Sequence, residues 1–237
     1  MAIPFLIRLV LLKEKYFGTP YAQLPDGQAL ELANKNLLGM MNMIEYPPVE
    51  MDGVADRKIK MRDGHEIGIR IYHPKGKNSI KPAIVYYHGG GFVLYGLDTH
   101  DRICRRMAHV NDSVVISVDY RLAPAFKFPT APHDCYDAFC WVHDHAETLK
   151  IDANRISVSG DSAGGNLATV TCIQSKELQG PPIYSQILIY PTVDGTLQFP
   201  SIDRNGKGYL LTKDSMEWFV GHYARNEKDK KLSLIHI

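Results

Sequence analysis

Ser162 stands in the stretch "VSGDSAGGNL" (158–167), framed by Gly160 and Gly164 in a G-x-S-x-G spacing. That spacing suits a serine exposed on a sharp turn, where neighbouring side chains would collide. A serine hydroxyl becomes a useful nucleophile only when a base takes its proton and an acid orients that base. The apolar run "RISVSG" before it reads as a strand, and the residues from Ala163 onward read as a helix. Strand, turn and helix in that order are the context the chemistry requires, and the helix N-terminus beneath the serine favours developing negative charge.

A second stretch, "HGGGF" (His88, Gly89, Gly90, Gly91 and Phe92), follows the strand-like run "PAIVYYH". Consecutive glycines let backbone N–H groups approach a substrate oxygen unobstructed. Together with the N–H of Ala163 they could stabilise a tetrahedral oxyanion. A phosphate cradle would instead need G-x-x-x-x-G-K-[ST] or G-x-G-x-x-G before a helix, and the sequence has neither. Both glycine-bearing stretches fall at the C-terminal ends of strands, where open α/β sheets bind ligands.

The elements that must hold these groups are legible from periodicity. "DRKIKMRDGHEIGIRIYHP" alternates polar and apolar residues around Asp63-Gly64, which predicts an antiparallel hairpin. From position 82 onward, "PAIVYYH", "SVVISVDY", "RISVSG" and "SQILIYP" are short β-branched runs, as expected of strands covered on both faces. Helical stretches at 98–110, 132–146 and 163–178 alternate with them, so the sheet should be mostly parallel with right-handed crossovers. "PDGQALELANKNLLGMM" predicts a helix ahead of the sheet, and "TKDSMEWFVGHYAR" predicts one after it.

Composition excludes several function classes. The chain has 237 residues, enough for one sizeable α/β domain, with 45% hydrophobic and 22% charged residues. A net charge of +1 offers no field for nucleic acid, so no nucleic-acid partner is expected. Cys104, Cys135, Cys140 and Cys172 form no C-x-x-C pair and no metal-ligand spacing, and read as reduced thiols of a cytoplasmic protein. The N-terminal "MAIPFLIRLVLLKEK" is interrupted by Arg8 and is shorter than the ~20 residues of a spanning helix. It reads as an amphipathic cap or surface helix rather than a stable membrane insertion; a lipid-surface role for residues 3–12 is the rival reading.

"HGGGF", "SVDYRLAP", "GDSAGGNLA" and "ILIYP", in that order, resemble the hormone-sensitive-lipase-like group of α/β-hydrolases, which includes bacterial esterases and arylacetamide deacetylase. The resemblance runs from about position 20 to 226. It implies an α/β-hydrolase fold with a mostly parallel sheet, an N-terminal antiparallel hairpin and a helical cap. Carried over by position, Ser162 resembles the nucleophile, and the N–H groups of Gly90, Gly91 and Ala163 resemble the oxyanion hole. His88 looks like a bracing histidine, with Gly89, Gly160, Asp161 and Gly164 as motif support. One departure is Ala125, where the group usually carries glutamate after "RLAP". The implied organisation is N-terminal cap helices over 1–55, a hydrolase core over 56–192 and a second cap segment over 193–231.

The base is harder to find. Members of the group order their triad as serine, then acid, then histidine. After Ser162 only His222 and His236 follow; His222 falls in the expected cap helix and His236 at the chain end. Asp194, Asp203, Asp214 and Asp229 fall in loops or cap-like segments. Upstream, His143 and His145 are two apart and point to different faces of a helix, which is no metal site. His100, His109 and His133 read as helix-surface or interface residues, and His65 as a turn residue.

The sequence therefore predicts a C-terminally truncated hydrolase whose last strands, acid and histidine are missing. The tail "LSLIHI" (232–237) is what CTG-TCT-CTT-ATA-CAC-ATC encodes, resembles a translated sequencing-adapter end, and reads as non-native. The expected function is a serine carboxylic-ester hydrolase for small to medium apolar esters, acting through an acyl-enzyme with no cofactor and no metal. The rival on the same scaffold is a non-hydrolytic small-molecule receptor, as in the plant gibberellin receptors that resemble this group.

Overall fold

The computed structural model describes residues 47–76 and 80–231, together with helical positions Gln28, Glu31, Leu32, Lys35, Asn36, Leu38 and Gly39. Most of the expected first cap segment and the whole of the 232–237 tail lie outside the described residues. β1 (Gly53–Lys60) and β2 (Glu66–His73) form the expected antiparallel hairpin, with Gly53 opposite His73 and Lys60 opposite Glu66. Gly64 turns the chain at φ 89°, a left-handed conformation that a side chain would strain.

β3 (Lys81–Tyr87), β4 (Val114–Asp119), β5 (Ile151–Asp161) and β6 (Gln186–Ile189) complete a 6-stranded sheet of order β1-β2-β4-β3-β5-β6. β4, β3, β5 and β6 run parallel, while β2 meets β4 antiparallel. Helices α1 (Asp101–Asn111), α2 (Thr130–Asp144), α3 (Ala146–Leu149) and α4 (Ala163–Glu177) form the connections. β5 starts earlier than the apolar run suggests, because Ile151 and Leu149 are buried anchors ahead of the exposed Asn154 and Arg155. Beyond β6 lie α5 (Pro200–Asn205), α6 (Lys213–Tyr223) and α7 (Glu227–Lys231).

Alternation along β3 shows how the core divides. Val85 and Tyr87 point into a cluster that includes Phe139 of α2 and Leu167 of α4. Ile84 and Tyr86 point to the opposite face, against Cys104 and Ala108 of α1. Both faces of the central strands are therefore covered, which is why their sequences lack a polar face. β6 departs from that expectation: Ile187 and Leu188 remain 38% and 37% exposed. It is the outermost strand and pairs only with β5 among the described residues.

Topology decides what can meet at the top of the sheet. Tyr87, the last residue of β3, is in register with Gly160 of β5. The "HGGGF" loop and the Ser162 turn therefore leave adjacent parallel strands at the same end. The tip of the hairpin is tied to the core by Arg121, which donates to both carboxylate oxygens of fully buried Asp134 and reaches Asp63 at 2.7 Å.

Candidate active site

β5 delivers Asp161 into a turn where Ser162 adopts φ 53° and ψ −116°, and α4 begins at the next residue. An L-residue held there is strained, and the surrounding packing must enforce it. Enforcement comes from close approach. A Cβ on Gly164 would collide with the carbonyls of Tyr87 and His88, and one on Gly160 would collide with Gly164 itself. β6 and the residues just after it add hydrogen bonds: Ser162 N–H donates to Ile189 O at 2.9 Å, and Thr192 N–H donates to Ser162 O at 3.0 Å.

The glycine loop beside it runs through φ 110° at Gly90 and φ 61° at Gly91. The N–H groups of Val93 and Leu94 donate back to Gly90 O, at 3.1 and 2.9 Å, closing the loop into a tight turn. Among the described residues nothing accepts from the N–H groups of Gly90, Gly91 or Ala163. Backbone donors left unused are uncommon, and here they gather beside the Ser162 turn. Over the loop lies α6: the Phe219 ring packs so closely on Gly91 that no Cβ would fit there.

Between the two strand ends lies a buried polar cluster. His88 is fully buried, with Nδ1 2.6 Å from Gly89 O, and its ring stacks on Tyr120 at 4.3 Å. A carbonyl only accepts, so Nδ1 carries the hydrogen and the buried Nε2 is a bare acceptor, without a partner among the described residues. Burial, and then the nearby His100, hold this imidazole down to about 3. Tyr120 O–H donates to His88 O at 2.7 Å.

Asp161 Oδ1 accepts from Tyr86 O–H at 2.7 Å and from Gly89 N–H at 2.9 Å, and lies 3.3 Å from His100 Nε2. Burial raises the carboxyl, but hydrogen bonds from His100, Tyr86 and Gly89 outweigh it and leave the group below its usual range. His100 corrects the sequence reading. It is 8% exposed, at the end of a short 3-10 turn (Asp98–His100), and belongs to this cluster rather than to a helix surface. The signal that could have found it, a histidine just before an amphipathic helix, carries no chemistry without the knowledge that β3 and β5 are neighbours.

No described residue hydrogen bonds to the Ser162 hydroxyl. His222 Nδ1 lies 2.8 Å from Trp218 O on its own helix. His143 Nδ1 lies 3.2 Å from Asp144 and His145 Nδ1 2.8 Å from Trp141 O. Thr196 donates to Asp194, Lys213 pairs with Asp203 and Arg225 pairs with Asp229. His236 lies outside the described residues. All four cysteines are free thiols. Among the described residues no group of His, Cys, Asp and Glu is placed to hold a metal, and no helix is long and apolar enough to cross a membrane.

Comparison with known proteins agrees with this geometry. A family model described as an alpha/beta hydrolase fold matches residues 84–236, and the chain belongs to that family, within its hormone-sensitive-lipase-like group of carboxylesterases. It is 42% identical over 186 residues to an ethyl acetate hydrolase of Pseudomonas putida, covering 76% of this chain and 58% of the relative. It is 37% identical over 229 residues to the carboxylic ester hydrolase LipN of Mycobacterium tuberculosis, covering 93% of this chain and again 58% of the relative. A hyperthermophilic esterase from the archaeon Pyrobaculum calidifontis superposes with a TM-score of 0.89 at 38% identity, over 99% of this chain and 74% of the other. The chain thus spans less than two thirds of the length of these two curated relatives.

Proposed function

We propose that the chain carries the nucleophile and oxyanion hole of a serine carboxylic-ester hydrolase for small to medium apolar esters. The observation that carries this reading is the coincidence of a strained Ser162 with three unused N–H donors, on Gly90, Gly91 and Ala163. Ser162 Oγ attacks the ester carbonyl carbon while its proton passes to a base. The carbonyl oxygen takes up the negative charge and receives the N–H donors. Collapse of this adduct expels the alcohol, which takes a proton, and leaves an acyl-enzyme that water then cleaves to the acid.

The 193–231 segment caps the acyl pocket in this reading, with Phe219 as its wall above Gly91. Relatives named as ester hydrolases support the reaction class, and none of the comparisons quoted above favours the receptor alternative. A histidine and an acid outside the described residues complete the relay. In their absence only a residual ~10³–10⁴-fold enhancement over water is expected from binding and the oxyanion hole.

The test assays the 237 residues with p-nitrophenyl acetate against a Ser162→Ala control. Slow hydrolysis that disappears in the control supports the reading. Robust Ser162-dependent turnover shows that the base lies within this chain, and hydrolysis unchanged by the substitution overturns the assignment of the nucleophile.

A further inference from the structure

His100 is held at both ring nitrogens. Thr99 Oγ1 lies 2.8 Å from Gly96 O, a carbonyl that can only accept, so the hydroxyl hydrogen goes there. The same Oγ1 accepts from Gly96 N–H at 3.0 Å and lies 2.9 Å from His100 Nδ1. Thr99 thus holds the ring at Nδ1. On the other side, Nε2 faces the Asp161 carboxylate at 3.3 Å, and an ionised carboxylate also only accepts. A hydrogen on Nε2 therefore points at that carboxylate, and the ring is held from both sides.

We propose that His100 is a positioning residue for the oxyanion loop: clamped between Thr99 and Asp161, it fixes the carboxylate that holds Gly89 N–H and thereby sets Gly90 and Gly91 against the Ser162 turn. The proposal rests on reading those glycines as oxyanion donors. Asp161 directly precedes Ser162, so one carboxylate joins the turn on β5 to the loop on β3. Rings and one carboxylate surround His100. Tyr86 and Tyr95 present their rings at 6.1 Å, and His88 at 5.5 Å is neutral. Among the described residues Asp161 is the charged group in contact with the ring, and Cys104, Tyr120 and the exposed Tyr190 beyond β6 also act electrostatically with that carboxylate. Losing the ring leaves a buried carboxylate short of a partner and free to turn away from Gly89.

The experiment uses the full chain and two variants. His100→Gln keeps a donor where Nε2 stands, and His100→Leu removes it. In nitrogen-15 spectra of the wild type, His100 Nε2 should show bound hydrogen, and the Gly89 amide should resonate downfield as a donor to a carboxylate. The Gly89 signal should keep that position in His100→Gln and lose it in His100→Leu. Reaction of Ser162 with a fluorophosphonate should slow by roughly tenfold to a hundredfold in the leucine variant, in the maximal rate rather than in probe affinity. It should largely recover in the glutamine variant.

A Gly89 amide unmoved by His100→Leu overturns the proposal. Should the leucine variant not fold, a bare Nε2 on His100 in the wild type overturns it instead. A wild type whose Ser162 never reacts would sink the hydrolase reading, while the Gly89 signal would still decide the positioning role.

Discussion

Tyr223 lies flat on Phe92, with ring centroids 3.9 Å apart and planes 8° from parallel. The pair joins the end of α6 to the last residue of the "HGGGF" stretch, and Phe128 closes the contact, its ring edge-on to Tyr223 and its N–H donating to Tyr223 O at 3.0 Å. The segment after β6 is thus seated on the glycine loop by aromatic packing.

Tyr223 is 2% exposed, so truncating it opens a cavity at that seat. Tyr223→Ala should destabilise the chain by about 3–5 kcal/mol, as large aromatic truncations do. Chemical denaturation measures this, with Tyr223→Phe as the reference that keeps the stack. A loss below about 1 kcal/mol for alanine would mean that α6 is not anchored there.

Gly164 and Gly221 should respond oppositely to the same change. A Cβ on Gly164 meets the β3 backbone, whereas one on Gly221 in α6 meets nothing within 4 Å. Gly164→Ala should cost about 1–3 kcal/mol or more and suppress Ser162 reactivity, because the strand end cannot give way. Gly221→Ala should stabilise by about 0.4–1 kcal/mol through a stiffer unfolded chain and better helix propensity. Equal effects at the two positions would contradict the close approach.

His88 makes stability depend on pH in a stated direction. Its unfolded-state value is near 6.5, while burial, and then His100, hold the native ring down to about 3. Between those limits the unfolded chain binds a proton that the native ring refuses, so stability falls as pH drops below 6.5 and the loss is complete near 3. A shift of that size corresponds to on the order of 5 kcal/mol in all. His73 and His133, lowered chiefly by burial, act in the same direction. Denaturation midpoints measured from pH 8 to 5 should decline, and less steeply in His88→Gln. A flat profile, or an identical slope in the variant, would refute this account.

How much of this the sequence shows depends on whether a group's neighbours lie nearby in the chain. The Ser162 turn and the glycine loop are short-range features, and the residue types that build them carry their own signal. The hairpin about Asp63-Gly64 is legible for the same reason. His100 is different: its partner Asp161 lies on β5, and only the placement of β3 between β4 and β5 brings them together. The Arg121–Asp134 pair is hidden likewise, since a charged residue inside an apparently amphipathic helix reads as solvent-facing until its partner is known. β6 misleads in the opposite way. "QILI" has the composition of a covered strand, but exposure is set by its place at the sheet edge.

The most direct test of the central claim is to treat the folded chain with excess fluorophosphonate and locate the adduct by peptide mass mapping. A single phosphonylated residue, Ser162, absent from Ser162→Ala and slower to form in Gly164→Ala, is the predicted result. Labelling elsewhere with Ser162 unmodified, or equal labelling of the Ser162→Ala protein, would contradict it.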